Sequence, residues 1–98
     1  MNDVYKALGH PVRREILARL RPGPQTAGAL AERFDLSKPT LSGHFSVLKD
    51  ANLIEAERDG TSIVYHLKLS VLEEALSSAM DLFGIGVKTG EAGIETNS

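Results

Sequence analysis

Residues 37–53 read SKPTLSGHFSVLKDANL, and this stretch decides the fold. Ser37 is a good N-cap residue because its hydroxyl can accept a hydrogen bond from a free backbone N–H at the start of a helix. The apolar residues that follow recur at the spacing of one helix face: Leu41, Phe45 and Leu48. Asn52 tolerates the left-handed conformation that ends many helices. The pattern therefore predicts a helix over residues 38–51 that buries one face.

The opposite face of this predicted helix carries small and polar residues. Its centre is formed by Pro39, Gly43, Ser46 and Asp50, flanked by Thr40, Ser42, Val47 and Lys49. Ser and Thr hydroxyls can bond base edges or phosphates, and Lys38 adds positive charge where the helix dipole already favours phosphate. A face that met only solvent would more often carry Glu and Lys. The pattern therefore favours DNA contact over a solvated polar face.

The segment before it predicts a shorter helix. Thr26 can serve as the N-cap, and apolar residues again recur at helical spacing: Ala27, Leu30, Ala31 and Phe34. Asp35 and Leu36 leave only a short connection before Ser37. Two helices joined in this way, the second rich in small polar residues, indicate a helix-turn-helix.

After the second of these helices the hydrophobic period changes. Residues 53–58 (LIEAER) predict a strand, Asp59 and Gly60 a tight turn, and residues 61–67 (TSIVYHL) the returning strand. A hairpin in this place indicates a wing. Two residues near its tip are candidates for contact with the DNA backbone or a minor groove: Arg58 and Thr61.

Further helices are predicted on both sides of this unit. Residues 4–8 predict a short helix, and residues 11–20 predict a second one that starts at a proline and ends at a Pro-Gly-Pro run. Ser70 is expected to cap a last helix that ends near Gly84. The predicted fold is mostly α with a β-hairpin, a winged helix-turn-helix of order α-α-α-α-β-β-α.

The last predicted helix carries more apolar residues than one small core can bury. Such a wide stripe needs a partner outside the chain, and packing with the first helix would give a symmetric homodimer. The predicted interface consists of Val4, Tyr5, Leu8, Leu72, Leu76, Met80 and Phe83. Burial of the whole stripe within one chain is the alternative. Residues 1–83 are expected to form one DNA-binding and dimerisation domain, and residues 84–98 a flexible tail.

Composition and charge set further limits. A chain of 98 residues makes one small domain, and the absence of Cys excludes disulfides, thiolate metal sites and a Cys nucleophile. The net charge is −2, yet residues 1–50 hold eight Lys and Arg against five acids. Residues 51–98 hold three against eight. The basic half contains the predicted helix-turn-helix, and a local basic surface suits contact with DNA.

Neither a catalytic site nor membrane insertion is expected. Glu73 and Glu74 are adjacent and share no helix face, and the three His have no metal-ligand or triad spacing. No stretch reaches the roughly 18 apolar residues of a membrane span. The first residues lack the pattern of a signal peptide, so a cytoplasmic location is expected.

The sequence also predicts the surroundings of the three His and of two adjacent Arg. His44 lies at the edge of the apolar stripe, which favours a partly buried, hydrogen-bonded residue over a base-reading one. His10 is expected to be structural or incidental, and His66 to lie on the surface. Of the adjacent Arg13 and Arg14, at least one should project outward, near the DNA backbone, unless an acid pairs with it.

Three segments together resemble the ArsR-type (ArsR/SmtB) family of winged-helix bacterial repressors: LGHPVRREILARL, TAGALAERFDLSKPTLSGHFSVLKDANLI and ERDGTSIVYHL. With the last helix they cover about residues 3–83. The wording SKPTLSGHFSVLK most resembles the SdpR-like autorepressor branch. The resemblance implies a homodimer that binds an inverted-repeat operator, usually near its own promoter, through a recognition helix of residues 38–51 and the wing.

The resemblance also assigns roles by position. It implies base-facing positions at Lys38, Pro39, Ser42 and Gly43, and backbone contacts by Thr40, Arg58 and Thr61. Gly43 departs from the family, since many relatives carry His or another reading residue there. A glycine at this step would favour closer approach to the backbone over sequence readout.

The family's sensor motifs are the other departure. Metal-sensing relatives use Cys pairs near the recognition helix, where this chain reads DLSKP, or Asp and His on the last helix, which here has no His. No metal, thiol sensor or cofactor is therefore expected, and release from DNA would depend on a protein partner, a small molecule or concentration. The alternative function is a winged-helix module for protein–protein contact with little DNA binding.

Overall fold

The computed structural model describes residues 2–86. In chain order its elements are α1 Asn2–Leu8, α2 Pro11–Leu20, β1 Gln25–Thr26, α3 Ala27–Ala31, α4 Lys38–Asp50, β2 Ile54–Asp59, β3 Ser62–Leu67 and α5 Leu69–Leu82. The winged helix-turn-helix predicted from the sequence is confirmed: α3 and α4 form the helix-turn-helix, and β2 and β3 form the hairpin. Of the predicted tail, residues 87–98 lie outside the described range.

The sheet has one strand more than the sequence predicted. It is antiparallel with the order β1-β3-β2. The additional strand, β1, has two residues: Gln25 pairs with Tyr65, and Thr26 pairs with Val64. A strand of two residues shows no alternation, so no sequence pattern can reveal it. It forms because β3 offers its free edge to the chain that enters α3.

The hairpin turn lies one residue later than predicted. Asp59 belongs to β2 and pairs with Ser62, so Gly60 and Thr61 form the two-residue loop. Gly60 has a φ of +65°, a conformation that costs glycine nothing because it has no Cβ. Glycine at the first position of a two-residue loop matches the twist of the two strands.

Three predicted helix ends can be compared with the structure. Asn52 adopts a φ of +62° after α4, as predicted. The predicted Ser70 cap is wrong, because α5 begins at Leu69 and the cap position falls on Lys68, which makes no capping side-chain bond. α3 ends at Ala31, so Phe34 packs on the core from the loop.

A single core joins the five helices and the strands β2 and β3. Its buried residues are Val4, Ala7, Ile16, Leu17, Leu20, Leu30, Leu41, Phe45, Leu48, Ala51, Leu53, Ile54, Tyr65 and Ala75. Phe45 of α4 stacks on Tyr65 of β3 with ring centroids 4.4 Å apart. α5 contributes only Ala75 to this buried set. The core therefore fixes α4 firmly and leaves much of the apolar side of α5 uncovered.

The two adjacent arginines of α2 fasten α1 to the rest of the fold. The last carbonyls of a helix have no partner within it. Arg13 donates from Nε to the Ala7 carbonyl (2.8 Å) and from Nη2 to the Lys6 carbonyl (3.0 Å). Arg14 donates from Nη1 to the Leu8 carbonyl (2.7 Å) and is exposed, so one of the pair projects outward as expected, while its nearness to DNA stays a prediction. This capping role was not predicted from the sequence.

Candidate DNA-binding surface

Side-chain caps start both helices of the helix-turn-helix. The Thr26 hydroxyl accepts a hydrogen bond from the Ala29 N–H at 3.0 Å. The Ser37 hydroxyl oxygen accepts one from the Thr40 N–H at 3.3 Å and lies 2.9 Å from the Thr40 hydroxyl, to which it donates. Both predicted caps are confirmed. They fix where α3 and α4 begin and therefore which residues face outward.

All the α4 residues predicted to contact DNA are exposed: Lys38, Pro39, Thr40, Ser42, Gly43 and Ser46. The inward face is taken by the buried Leu41, Phe45 and Leu48. Among the residues described, Lys38 forms no ion pair, since the two pairs found there are Arg19–Glu15 and His66–Glu57. Its charge at the start of α4 is therefore available to an anionic partner.

Gly43 lies near the middle of this exposed face. A Cβ added at this position would meet no atom within 4 Å. Packing within the chain therefore does not require glycine here, although glycine in a helix interior costs about 1 kcal/mol relative to alanine. Glycine leaves the helix backbone here open to close approach by an outside surface.

A shallow groove of about 230 Å³ runs between α3 and α4. The small residues Ala27, Gly28 and Ala31 form its α3 side. Lys38 and Ser42 line its α4 side above the apolar floor. The groove thus places a cation and a hydroxyl together at one edge of the exposed α4 face.

The hairpin separates its charges between two faces of the sheet. Arg58 and Thr61, the predicted wing contacts, are exposed. Side chains alternate along a strand, so Arg58 shares the face of Ile54, whereas Glu57 lies on the other. On that other face Glu57 Oε1 is 2.8 Å from His66 Nε2. The acids of β2 therefore project away from Arg58.

His44 is partly buried and hydrogen-bonded, as the sequence predicted. Its Nδ1 lies 3.1 Å from Nη1 of Arg13, and its ring centroid lies 4.4 Å from that of His10. Burial, with smaller contributions from His10 and Arg13, lowers the pKa of His44. His10 caps α2, because its Nδ1 accepts from the Val12 N–H at 3.1 Å.

The predicted dimer residues divide into three groups. Tyr5, Leu76 and Phe83 are exposed, with 37%, 48% and 76% of their surface accessible. The half-buried members are Leu8, Leu72 and Met80. Val4 is only 6% exposed and packs in the core of its own chain, so it has little surface left for a partner. A groove of about 500 Å³ lies here, lined by Leu8, Arg14, Leu17, Ala18, Arg21, Leu72 and Leu76.

Side chains that could ligate a metal are spread apart in the part of the chain that the structure describes. Within residues 2–86, no group of three or more His, Asp or Glu side chains lies close enough to hold a metal ion. The chain has no Cys, and the acids of α5 have no His beside them on that helix. Of the helices described, none is long and apolar enough to cross a membrane.

Comparison with known proteins agrees with this geometry. A capped helix-turn-helix with an exposed polar second helix, followed by a hairpin, defines a winged helix-turn-helix protein. A family model described as a helix-turn-helix domain matches residues 8–57. The chain belongs to the ArsR family of transcriptional regulators.

Individual relatives show how far the similarity extends. The chain is 41% identical to the transcriptional repressor SdpR of Bacillus subtilis over 86 residues, which cover 88% of this chain and 96% of SdpR. It is 39% identical to the HTH-type transcriptional regulator Rv2034 of Mycobacterium tuberculosis, over 90% of this chain and 81% of that protein. An ArsR-like transcriptional regulator from Rhodococcus sp. RHA1 superimposes with a TM-score of 0.72 at 28% identity, covering 85% of this chain and 77% of that one.

Proposed function

We propose that this protein is a dimeric, sequence-specific DNA-binding transcriptional repressor. The observation that carries the proposal is the exposed outer face of α4, on which Lys38, Ser42 and Gly43 lie together. A helix of 13 residues with one buried face and one small, polar, cationic face suits insertion into a major groove. The names of two relatives, a transcriptional repressor and an HTH-type regulator, support the same function.

The side chains take different roles on the duplex. On the recognition helix, base edges are approached by Ser42, Ser46 and the backbone at Gly43. Lys38 and Pro39 also face the bases, from the start of that helix. Thr40 contacts phosphate or sugar. Arg58 and Thr61 extend the contact from the hairpin to the backbone or a neighbouring minor groove. Phosphate contacts set register and affinity, whereas base contacts set sequence preference.

A homodimer supplies the second recognition helix. The exposed apolar residues of α1 and α5 form a face of the kind that a second copy would cover. Two-fold symmetry would then require an inverted-repeat operator, with half-sites about one helical turn, roughly 34–36 Å, apart. Repression follows when the dimer occupies a promoter, and the resemblance to autorepressors points to its own.

Control of the repressor is proposed to lie outside the usual sensor sites. The dimer needs neither metal nor thiol for DNA binding, a view supported by the lack of Cys and of any group of three candidate metal ligands within residues 2–86. A protein, a small molecule or a change in concentration releases it in the cytoplasm. Stoichiometric, tight zinc or nickel that weakens operator binding would contradict this part.

The proposal can be tested without knowing the operator. The purified full chain selects binding sites from a pool of random duplexes, and the retained DNA is sequenced. The expected result is an inverted repeat with one half-site per recognition helix. A pool that shows no enrichment, or retained DNA with no two-fold symmetry, would contradict a dimeric sequence-specific regulator.

A further inference from the structure

Three side chains meet where α1, α2 and α4 converge. Arg13 of α2 bonds the Lys6 and Ala7 carbonyls of α1 and, through Nη1, approaches His44 Nδ1 at 3.1 Å. His10 stacks against His44 with centroids 4.4 Å apart and an interplanar angle of 51°. One guanidinium group thus joins the C-terminus of α1 to the middle of the recognition helix.

The partners determine where the protons of this cluster lie. Arg has only donors, so His44 Nδ1 must accept from it, and this leaves His44 neutral with its proton on Nε2. His10 Nδ1 is occupied as well, since it accepts from the Val12 N–H at the start of α2. The bond between Arg13 and His44 requires a free lone pair on His44 Nδ1, and protonation would remove it.

We propose that Arg13 and His44 form a positioning link that sets the recognition helix against α1 and α2, and that this link holds only while His44 is neutral. The proposal rests on the proposed DNA binding. It makes Arg13 a positioning residue, since Arg13 acts through His44, which directly follows Gly43 on the reading helix. Because α1 belongs to the proposed dimer face, the link also connects DNA reading to dimer geometry.

Protonation of His44 would place two cations, its imidazolium ring and the Arg13 guanidinium, against each other. An imidazolium Nδ1–H would point at the Arg13 guanidinium, and the ring would lie against His10. From α2 and its N-cap, Arg13 and His10 face the ring, whereas the acid of that helix, Glu15, pairs with Arg19. From α1 the nearest charged residues are Asp3 and Lys6, which lie beside Val47 and Asp50 farther along α4. The His44 ring would therefore lose its hydrogen bond with Arg13 and move away from it.

The lowered pKa of His44 determines whether acid weakens or strengthens the proposed link. Burial, His10 and Arg13 hold the pKa of His44 below its ordinary value of about 6.5. The stability that neutral His44 contributes is therefore present above pH 6.5 or so and is lost as the pH falls through the lowered pKa. Apparent DNA affinity should then fall by up to about tenfold per pH unit below that pKa. Added positive charge alone would strengthen DNA binding in acid. A loss of affinity in acid would therefore distinguish the proposed link from a simple charge effect.

The link is tested first without DNA. NMR titration of the imidazole signals of the full chain should give His44 a pKa below that of a free histidine. Arg13→Met removes the charge but keeps an apolar stem, and His10→Asn keeps a capping side chain. Each should raise the pKa of His44. A His44 that titrates at or above the ordinary value, or that neither variant moves, would overturn the link.

Its consequence is tested on DNA from immediately upstream of the chain's own gene. His44→Asn keeps an acceptor near the position of Nδ1 but cannot titrate in this range, so the affinity that it has at pH 7.5 should persist in acid. His66→Asn is the matched control and should keep the acid loss. Equal acid loss in wild type and His44→Asn, or tighter wild-type binding in acid, would refute the proposal. Absence of binding at pH 7.5 would refute the proposed function instead, and the NMR titration would then decide on the link.

Discussion

The outer faces of α4 and α5 are both open to solvent, and they differ in kind. The helices have similar lengths, 13 and 14 residues. α4 buries three large side chains and exposes hydroxyls, a glycine and a lysine. α5 buries only Ala75 and leaves Leu76, Leu82 and Phe83 from 48% to 76% exposed.

The difference shows what each surface needs from a partner. Groups on the α4 face can bond to water or to a polar partner equally well, so it can stay open until DNA replaces the water. Exposed Leu and Phe gain free energy only when they leave water, which a second apolar face provides. One fold thus separates the proposed DNA-binding surface from the proposed dimer surface.

The largest expected effect comes from placing a charge on the apolar surface. Leu76→Asp should weaken dimerisation on the order of 100-fold, because an unpaired carboxylate would be buried at the interface. Analytical ultracentrifugation over a concentration series measures it. Leu36→Asp is the matched control, since Leu36 is also exposed but lies in the helix-turn-helix connection. A Leu76→Asp protein as dimeric as wild type would remove α5 from the interface.

A smaller effect is expected from one hydroxyl on the polar surface. Ser42→Ala should reduce the preference for operator over scrambled DNA by about tenfold, since a base contact contributes about 1–3 kcal/mol of discrimination. Its affinity for scrambled DNA should change little. Ser77→Ala makes the same change at an exposed position of α5 and should leave both affinities as they are. Unchanged discrimination in Ser42→Ala would show that this position does not face bases.

The cap of α4 tests what holds the polar surface in place. Ser37→Ala should lower the free energy of unfolding by about 1 kcal/mol, because the Thr40 N–H loses its side-chain acceptor. Urea denaturation followed by circular dichroism measures the change. Ser37→Asp keeps an acceptor at this position, so its stability should remain near that of wild type. Equal losses in both variants would mean that the hydroxyl does not act as a cap.

The smallest effect is expected at the hairpin. Arg58→Ala should weaken binding to all DNA sequences a few-fold and reduce the slope of log affinity against log salt by about one. Arg58→Lys keeps the charge and should restore the slope. If the alanine variant retains the wild-type slope, then Arg58 does not contact phosphate.

The sequence predicted the parts of the molecule that local patterns control. Ser37, Asn52 and the apolar stripe of α4 determine that helix through caps and spacing, and the hairpin follows from Gly60. It could not predict β1, which forms only because β3 is there to pair with it. The capping of α1 by Arg13 and the contact of Arg13 with His44 were also missed, because they join residues up to 31 positions apart.

The same limit applies to the two candidate surfaces. Exposure of the α4 residues followed from the spacing of one helix. The sequence predicts Val4 as a dimer-interface residue because it belongs to an apolar stripe, yet Val4 is buried in the core of its own chain. Whether Val4 packs inside its own chain or against a partner depends on how α1 lies on α2. Arg13 and Arg14, which cap α1, hold the two helices together.

The most direct test is a fluorescence-anisotropy titration of the full chain at two salt concentrations. The probe is duplex DNA from immediately upstream of its own gene, with a scrambled duplex as control. The account predicts tight binding to the upstream DNA, weaker binding to the scrambled DNA and a steep loss of affinity as salt rises. Equal, weak and salt-insensitive binding to both would contradict DNA recognition by α4 and favour a winged helix that contacts protein.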